Sequence, residues 1–217
     1  MIASTTRRAQ QKQATRAHLF DVAMRLFDHR GYDAVNIDDI VRACKVARGT
    51  FYFHFPSKDD ILFEAVRRGE REIAARMAAV RDDEPFRAVL AAACDGFAAT
   101  WGDRRDLLVQ AGMVGMRRTI STARSRDEEP LRLELVRHVE RALAKGELGS
   151  ALPAQMLADV FLLNVFAALM AWAPSGEPSL GVVMPGVIDL FLRGAEGFGA
   201  VGRAVRRKKK ARSAGRR

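Results

Sequence analysis

Hydrophobic positions repeat with helical spacing from about residue 15 onward. Within residues 15–30 one apolar stripe follows the i, i+3, i+4, i+7, i+8 pattern: Leu19, Val22, Ala23, Leu26 and Phe27. Gly31 follows this stripe and can take the left-handed conformation that ends a helix. No stretch shows the sustained period-two alternation that indicates strands. The pattern predicts an all-α protein.

Three further helices are predicted within residues 36–80. Asn36 is expected to cap the second helix, and a short third helix spans about residues 48–54. Ser57 and Asp60 stand at capping-box spacing and begin a fourth helix that continues to about residue 80. Two short helices joined by a tight turn, with a longer helix before them, indicate a helix-turn-helix.

The rest of the chain predicts a larger helical domain. Its helices are expected at 85–100, 103–120, 130–145, 155–173 and 184–195. The predicted organisation is a three-helix domain at 1–56, which includes a basic arm at 1–16, then a helical domain at 57–200. A basic, disordered tail is expected at 201–217.

The short third helix carries the candidate chemistry for reading nucleic acid. Val46 and Phe51 are predicted to anchor it to the core. The residues then left for the outer side are Arg48, Gly49, Thr50, Tyr52 and His54. Arginine can bind guanine O6 and N7 together, and glycine permits close approach of the backbone. Phe53 and Phe55 are interpreted as packed aromatics, and Lys58 as a phosphate contact at the start of its helix.

Residues 36–62, NIDDIVRACKVARGTFYFHFPSKDDIL, resemble the N-terminal domain of the TetR family of one-component transcriptional regulators. The shared pattern G-T-hydrophobic-Y-x-H-F-x-S-K stands here at residues 49–58, and the closing PGVIDLFLRG resembles the family's usual last helix. The resemblance implies a homodimeric repressor that binds double-stranded DNA at a palindromic operator and is released by a small-molecule effector. It also implies a phosphate contact for Tyr52, and Asn36 and Ile37 are predicted to join the DNA-binding residues. Lys45 and Ala47 depart from the family, which commonly has glycine and serine there.

The second domain contains the predicted effector site and dimer interface. A hydrophobic effector is expected, because methionines suit an adaptable apolar cavity. The candidate lining residues are Phe97, Trp101, Gln110, Met113, Met116, Phe161, Asn164 and Phe166. The last two predicted helices have more apolar surface than one core needs, which predicts a four-helix dimer interface with Leu163, Val187 and Phe191.

Charge leaves a second function open. The net charge is +10, and residues 203–217 carry nine of the positive charges and no acid, so the other 202 residues sum to +1. Such a tail is either a solvated terminus or a sequence-independent attraction for nucleic acid. The alternative function is therefore a non-specific architectural DNA-binding protein.

The sequence does not favour an enzyme, a metal site or a membrane-spanning helix. It has no G-x-S-x-G, H-E-x-x-H or phosphate-binding glycine loop, so neither catalysis nor a cofactor is predicted. Cys44 and Cys94 form no C-x-x-C pair, and Glu134 with His138 is interpreted as a surface pair rather than a metal site. The apolar segment 155–173 contains Asp159 and Asn164 and is interpreted as a helix buried on two sides. A cytoplasmic protein is expected.

Overall fold

The computed structural model describes the backbone of residues 2–121 and 129–214, and the side chains of residues 7–115 and 129–197. Within these residues the chain is helical and has no strand, which confirms the predicted all-α class. The helices are α1 (Ile2–Arg30), α2 (Ile37–Cys44), α3 (Arg48–His54), α4 (Lys58–Ala78), α5 (Phe86–Trp101), α6 (Arg105–Ser121), α7 (Pro130–Lys145), α8 (Ala154–Trp172) and α9 (Leu180–Ala214).

The first and last helices are longer than the sequence pattern predicts. The N-terminal arm belongs to α1, which begins at Ile2. The tail, for which the sequence predicts disorder, continues α9 as far as Ala214. Both extensions are rich in alanine, arginine, lysine or glutamine, which favour helix even without an apolar stripe. The side chains of the tail lie outside the described residues.

The chain divides into two compact units. Unit 1 comprises Met1–Arg68 and Arg104–Thr122, and unit 2 comprises Gly69–Asp103 and Ala123–Arg217. This division differs from the predicted boundary at residue 56, because α6 and the first half of α4 belong with the N-terminal helices. Ion pairing of Arg104 with Asp28 (3.2 Å) and a hydrogen bond from Gln110 to Asp33 (3.1 Å) attach α6 within unit 1.

Unit 1 is built around the predicted stripe of α1. Leu19, Ala23 and Phe27 of this stripe are buried, and they share the core with residues of α2, α3 and α4. The fully buried side chains contributed by those three helices are Ile40, Phe51, Ile61 and Leu62. Because α2 and α3 are each under three turns long, this shared core holds them in place more than their own helical propensity does.

Unit 2 packs α8 against α7 and α9. Phe161 of α8 is fully buried and meets the ring of Phe191 edge-on, with 5.2 Å between the ring centroids. Asp159, the acid within the apolar helix, pairs with Arg132 of α7 at 2.7 Å. By length and composition Ala154–Trp172 could cross a membrane, with a mean hydropathy of 1.8, and 33% of that window is buried in the protomer. Burial of α8 on two sides, which the sequence predicts, is therefore not seen within the protomer, and the ion pair with α7 gives Asp159 a charged partner.

The turn between α2 and α3 places a lysine in the left-handed region. Lys45 has φ 54° and ψ 42°. Its N–H donates to the carbonyl of Arg42 (3.2 Å), and the N–H of Val46 donates to the carbonyl of Val41 (3.1 Å). These two bonds form a Schellman motif, whose left-handed position favours glycine.

Lys45→Gly should therefore stabilise the protein. Relief of the left-handed strain is worth about 1–2 kcal/mol, and the greater entropy of glycine in the unfolded chain cancels part of it. We expect the free energy of unfolding to rise by about 0.5–1 kcal/mol, as measured by chemical denaturation. The matched control is Ala14→Gly in α1, which should lower it by about 1 kcal/mol. A fall for Lys45→Gly would show that this turn is not left-handed in solution.

Candidate nucleic-acid interface

The inner side of α3 is fixed by aromatic packing, as predicted. Phe51 is fully buried, while Val46 is half-buried in the preceding turn. Phe55, immediately after the helix, is also fully buried, in agreement with its interpretation as a packed aromatic. Ala47 occupies the N-cap position and supplies no side-chain hydrogen bond. The helix is thus held by its core contacts rather than by its cap.

The outer side of α3 is formed by four exposed residues. Three of them, Arg48, Gly49 and Tyr52, are predicted from sequence to lie there, and Thr50 beside them is half-buried. A Cβ at Gly49 would meet no atom within 4 Å, so the fold itself does not require glycine at this position. The missing side chain instead leaves the backbone of α3 open to close approach by a binding partner.

Phe53 is the fourth exposed residue, and its interpretation as a packed aromatic is wrong. Its side chain is 67% exposed, and the Lys12 ammonium lies 4.6 Å from its ring centroid. The helix spacing of Phe51 and Phe55, four residues apart, turns Phe53 to the opposite side. Sequence reasoning missed Lys12 because the N-terminal arm carries no apolar stripe to indicate a helix. Once α1 extends to Ile2, Arg8, Lys12 and Arg16 follow one another at i+4 intervals.

Arg48 is held by two neighbours on the outer surface. Its Nη1 donates to both carboxylate oxygens of Asp38, at 2.8 and 3.1 Å, and its Nη2 lies 3.5 Å from the Tyr52 hydroxyl. The contact with Tyr52 and the charge of Asp38 raise the pKa of the Arg48 guanidinium above its usual value. The guanidinium is therefore charged, and its two neighbours hold it in one orientation.

The start of α2 is fixed by a complete capping box. The Asn36 side chain accepts a hydrogen bond from the Asp39 N–H (2.8 Å), and the Asp39 carboxylate accepts one from the Asn36 N–H (3.1 Å). This backbone hydrogen bond lowers the pKa of Asp39. Asn36 is exposed and Ile37 is half-buried, so both remain candidates for the interface beside α3.

His54 does not join the exposed residues of α3. Its side chain is 7% exposed, and its buried Nδ1 has no hydrogen-bond partner within the described part of the chain. Burial, together with the charges of Arg16 and Lys12, lowers the pKa of His54. The Arg16 guanidinium also donates to the His54 carbonyl and lies 4.1 Å from the Phe55 ring centroid. His54 therefore belongs to the packing that fixes the end of α3, and its predicted DNA contact is not supported.

Lys58 also has a different role from the predicted one. Its Nζ donates to the carbonyls of Tyr32 (2.8 Å) and Val35 (3.0 Å) and lies 4.0 Å from the Tyr32 ring centroid. These contacts fasten the loop before α2 to the start of α4. The predicted phosphate contact is not supported, because two of the three ammonium donors are already engaged.

The candidate effector residues are divided between the two units. In unit 1, Gln110 is hydrogen-bonded to Asp33 and Met113 is exposed, whereas the side chain of Met116 lies outside the described residues. In unit 2, Trp101 and Phe161 are buried, Phe97 and Asn164 are half-buried, and Phe166 is partly exposed. Hydrophobicity alone could not distinguish a cavity wall from plain core.

Trp172 is a candidate that the sequence reasoning missed. Its indole nitrogen is buried and has no hydrogen-bond partner among the described residues of the chain. An indole N–H is a donor only and usually finds an acceptor when it is buried. Trp172 ends α8 and lies in unit 2, so it joins the candidates for contact with a polar group of an effector.

The predicted dimer residues fall into two groups. Leu163 is 61% exposed on α8, as an interface residue of a single protomer should be. The assignment of Val187 and Phe191 is wrong, because they are 8% and 3% exposed and pack within their own protomer. The exposed large apolar residues of these two helices are Met156, Val160, Leu163 and Phe166 on α8, and Val182 and Leu190 on α9.

Metal and thiol chemistry have no support in the described part of the chain. It contains no group of three or more histidine, cysteine or acidic residues placed to hold a metal ion. Both cysteines are buried, and burial, with the charge of Asp95, raises the pKa of Cys94 to about 12. The Glu134–His138 contact is present at 2.9 Å, but its predicted surface position is wrong, since His138 is buried and burial lowers its pKa.

The chain resembles known proteins both in sequence and in fold. The family model described as "Bacterial regulatory proteins, tetR family" matches residues 19–65. The HTH-type transcriptional regulator AcrR of Shigella flexneri is 39% identical over 64 residues, which are 30% of this chain and 30% of AcrR. IcaR of Staphylococcus aureus, a negative transcriptional regulator, is 35% identical over 49 residues, which are 23% of this chain and 26% of IcaR. The chain thus matches these relatives over less than a third of their length.

The fold resemblance extends further than the sequence identity. The structure of Thermus thermophilus FadR, a TetR-family transcriptional repressor in complex with lauroyl-CoA, superimposes with a TM-score of 0.66 at 22% identity. That alignment covers 82% of this chain and 94% of FadR. The predicted family is confirmed: residues 19–65 form the helix-turn-helix domain of the TetR family of bacterial regulatory proteins, in a chain that has the fold of its TetR-family neighbours.

Proposed function

We propose that the protein is a ligand-responsive transcriptional repressor that binds a palindromic operator as a homodimer. The observation that carries this proposal is the outer surface of α3. One side of this helix presents a charged arginine held in one orientation, a glycine with open space around it and an exposed tyrosine. Its other side is packed into the core. These are the requirements of a recognition helix in the major groove of DNA.

Each residue of this surface has its own role in the proposal. Arg48 donates to guanine O6 and N7, and Gly49 lets the backbone come close to the bases. Thr50 offers a hydroxyl and a methyl group to a neighbouring base, while the Tyr52 hydroxyl contacts a phosphate. Lys12 adds a positive charge beside the exposed ring of Phe53. Base contacts supply the sequence preference, and the other contacts supply orientation and affinity.

The outward face of α8 supports the homodimer. Met156, Val160 and Leu163 are exposed at i, i+4 and i+7, which forms one apolar stripe along the helix. Val182 and Leu190 give α9 an exposed apolar face as well. Two helices from each protomer would bury these faces in a four-helix interface. A two-fold dimer presents two recognition helices about 34–36 Å apart or somewhat more, and its operator is then an inverted repeat.

The effector in this proposal is a small, largely apolar molecule. Support comes from the aromatic residues of unit 2 and from FadR of Thermus thermophilus, which was solved with lauroyl-CoA. The buried N–H of Trp172 would donate to a polar group of such a molecule. Release from DNA follows if the effector binds the DNA-incompetent arrangement of the dimer more tightly than the competent one.

Selection from a pool of random duplexes tests the proposed function. We expect repeated binding and amplification to enrich one inverted repeat. The purified protein should bind the enriched duplex at least about a thousand-fold more tightly than random DNA at physiological salt. A pool that stays random after many rounds would contradict sequence-specific regulation.

The second candidate is an architectural DNA-binding protein, and the basic tail favours it. Nine positive charges without an acid in residues 203–217 can neutralise phosphates but cannot read bases. Under the proposed function the tail adds affinity alone. Under the architectural alternative it supplies most of the binding.

Deletion of Arg203–Arg217 separates these two functions. We expect affinity for operator and random DNA to fall by similar factors, with the selected sequence unchanged. The slope of log affinity against log salt should flatten by up to about 0.9 for each phosphate that the tail neutralises. Binding titrations of both proteins over a salt series measure this slope. An unaltered slope would show that the tail does not touch DNA, whereas a variant without operator preference would favour the architectural alternative.

A further inference from the structure

The ion pair between Asp38 and Arg48 connects the two helices of the helix-turn-helix on their outer surface. Asp38 is the second residue of α2, and Arg48 is the first residue of α3. The two side chains are 54% and 58% exposed, so the pair stands in solvent rather than in the core. It lies on the same surface as Gly49 and Tyr52.

This pair has little to contribute to stability. Exposed ion pairs add little to the free energy of unfolding, because water already solvates both charges. The cap of α2 is provided by Asn36 and Asp39, so Asp38 is not needed to begin that helix. A role in binding is therefore the stronger explanation for a carboxylate placed on the base-reading arginine.

The geometry restricts what Arg48 can do. Asp38 engages Nη1 with both of its oxygens, while Tyr52 stands 3.5 Å from Nη2. A long, flexible side chain is thus held in one direction, with Nη2 and Nε left to donate. Reading guanine needs two donors in a fixed plane, whereas any nearby phosphate satisfies a free guanidinium. The Asp38 charge also repels phosphates and offsets the charge of Arg48.

We propose that Asp38 is a positioning residue that makes Arg48 selective for bases over phosphates, and this inference rests on the proposed function. Asp38 orients the guanidinium toward a base edge and weakens its attraction to the DNA backbone. It thereby raises the ratio of operator affinity to random-DNA affinity. A negative charge on a DNA-binding surface lowers the total affinity for DNA. Here it increases the discrimination between operator and random DNA.

Asp38→Asn tests this role with almost no change of shape. We expect affinity for random DNA to rise about threefold and the operator-to-random ratio to fall about tenfold. The salt slope should steepen by up to about 0.9, because the released arginine gains one phosphate contact. The selected motif should broaden at the base position that Arg48 reads. Titrations with the operator selected by the wild-type protein, and with random duplex, give these values.

Two further variants separate positioning from plain charge removal. Asp21→Asn on α1 removes an exposed carboxylate of unit 1 that lies 3.9 Å from Arg68, and it should leave the ratio and motif unchanged. In an Arg48→Ala background, Asp38→Asn should alter both affinities equally and leave the motif unaffected. Circular dichroism of each variant confirms that it is folded.

The outcomes distinguish a failure of this inference from a failure of the proposed function on which it rests. If the wild-type protein selects an operator and Asp38→Asn keeps both ratio and motif, the positioning role is wrong and the proposed function stands. An equal effect of Asp21→Asn would likewise overturn the positioning role. If the wild-type protein selects no operator, the proposed function fails and the inference fails with it.

Discussion

Replacing Leu163 and Leu190 together with glutamate should convert the protein from a dimer to a monomer. Both side chains are exposed in the protomer, at 61% and 68%, so the charges cost the isolated fold little. In the dimer the same charges would be buried in an apolar interface without partners, which is strongly unfavourable. Sedimentation should give twice the protomer mass of 24.0 kDa for the wild-type protein and the protomer mass for the variant.

Loss of the dimer should also lower the affinity for the operator. A monomer engages one half-site at a time, and without the linked second half-site affinity falls by about 10²–10⁴-fold. The matched control is Leu133→Glu, a substitution at an exposed leucine on α7 of the same unit, which should leave mass and affinity unchanged. Phe191→Glu is not a useful test, because that ring is packed inside the protomer and its replacement would damage the fold itself. A wild-type monomer at micromolar concentration, or a double variant that stays dimeric, would contradict this interface.

Arg48→Ala should remove the preference for one base pair in each half-site. A bidentate contact with guanine is worth about 1–3 kcal/mol of discrimination, which is about 5- to 150-fold for each half-site. Removing the side chain should leave the fold intact, since Arg48 is exposed and Phe51 anchors the helix. Repeating the selection with the variant should return the same inverted repeat with one degenerate position on each side.

Arg42→Ala is the matched control for this substitution. Arg42 is an exposed arginine in the last turn of α2, and its removal takes away the same charge from the same unit. We expect it to change affinity for all sequences by a similar factor while the selected motif stays intact. If Arg48→Ala leaves the motif unchanged, or Arg42→Ala degrades it instead, Arg48 is not the base reader.

The helices and the inner side of α3 are predictable from the sequence because local patterns determine both. The stripe of α1 recurs with helical spacing, and its members Leu19 and Phe27 are buried as expected. The motif at residues 49–58 is enough by itself to indicate the family, and the family model covers this stretch. Such features depend on residues close together in the chain.

The assignments at Lys58 and Phe191, which the structure does not support, concern residues whose contacts come from distant parts of the chain. Lys58 is predicted from sequence to face phosphate, but its partners Tyr32 and Val35 precede it by 26 and 23 residues. Phe191 is predicted to lie at the dimer interface, whereas Phe161, on another helix, covers it within the protomer. The apolar character of Phe191 does not tell from sequence which surface covers the side chain.

The most direct test of the central claim is methylation interference on the selected operator. Methylation of guanine N7 blocks a contact from the major groove without removing the base. We expect two symmetry-related guanines, one in each half-site, at which methylation prevents binding of the wild-type protein. Methylation at the same guanines should not further weaken binding of the Arg48→Ala variant. Interference that is absent, or that persists unchanged with Arg48→Ala, would contradict base reading by α3.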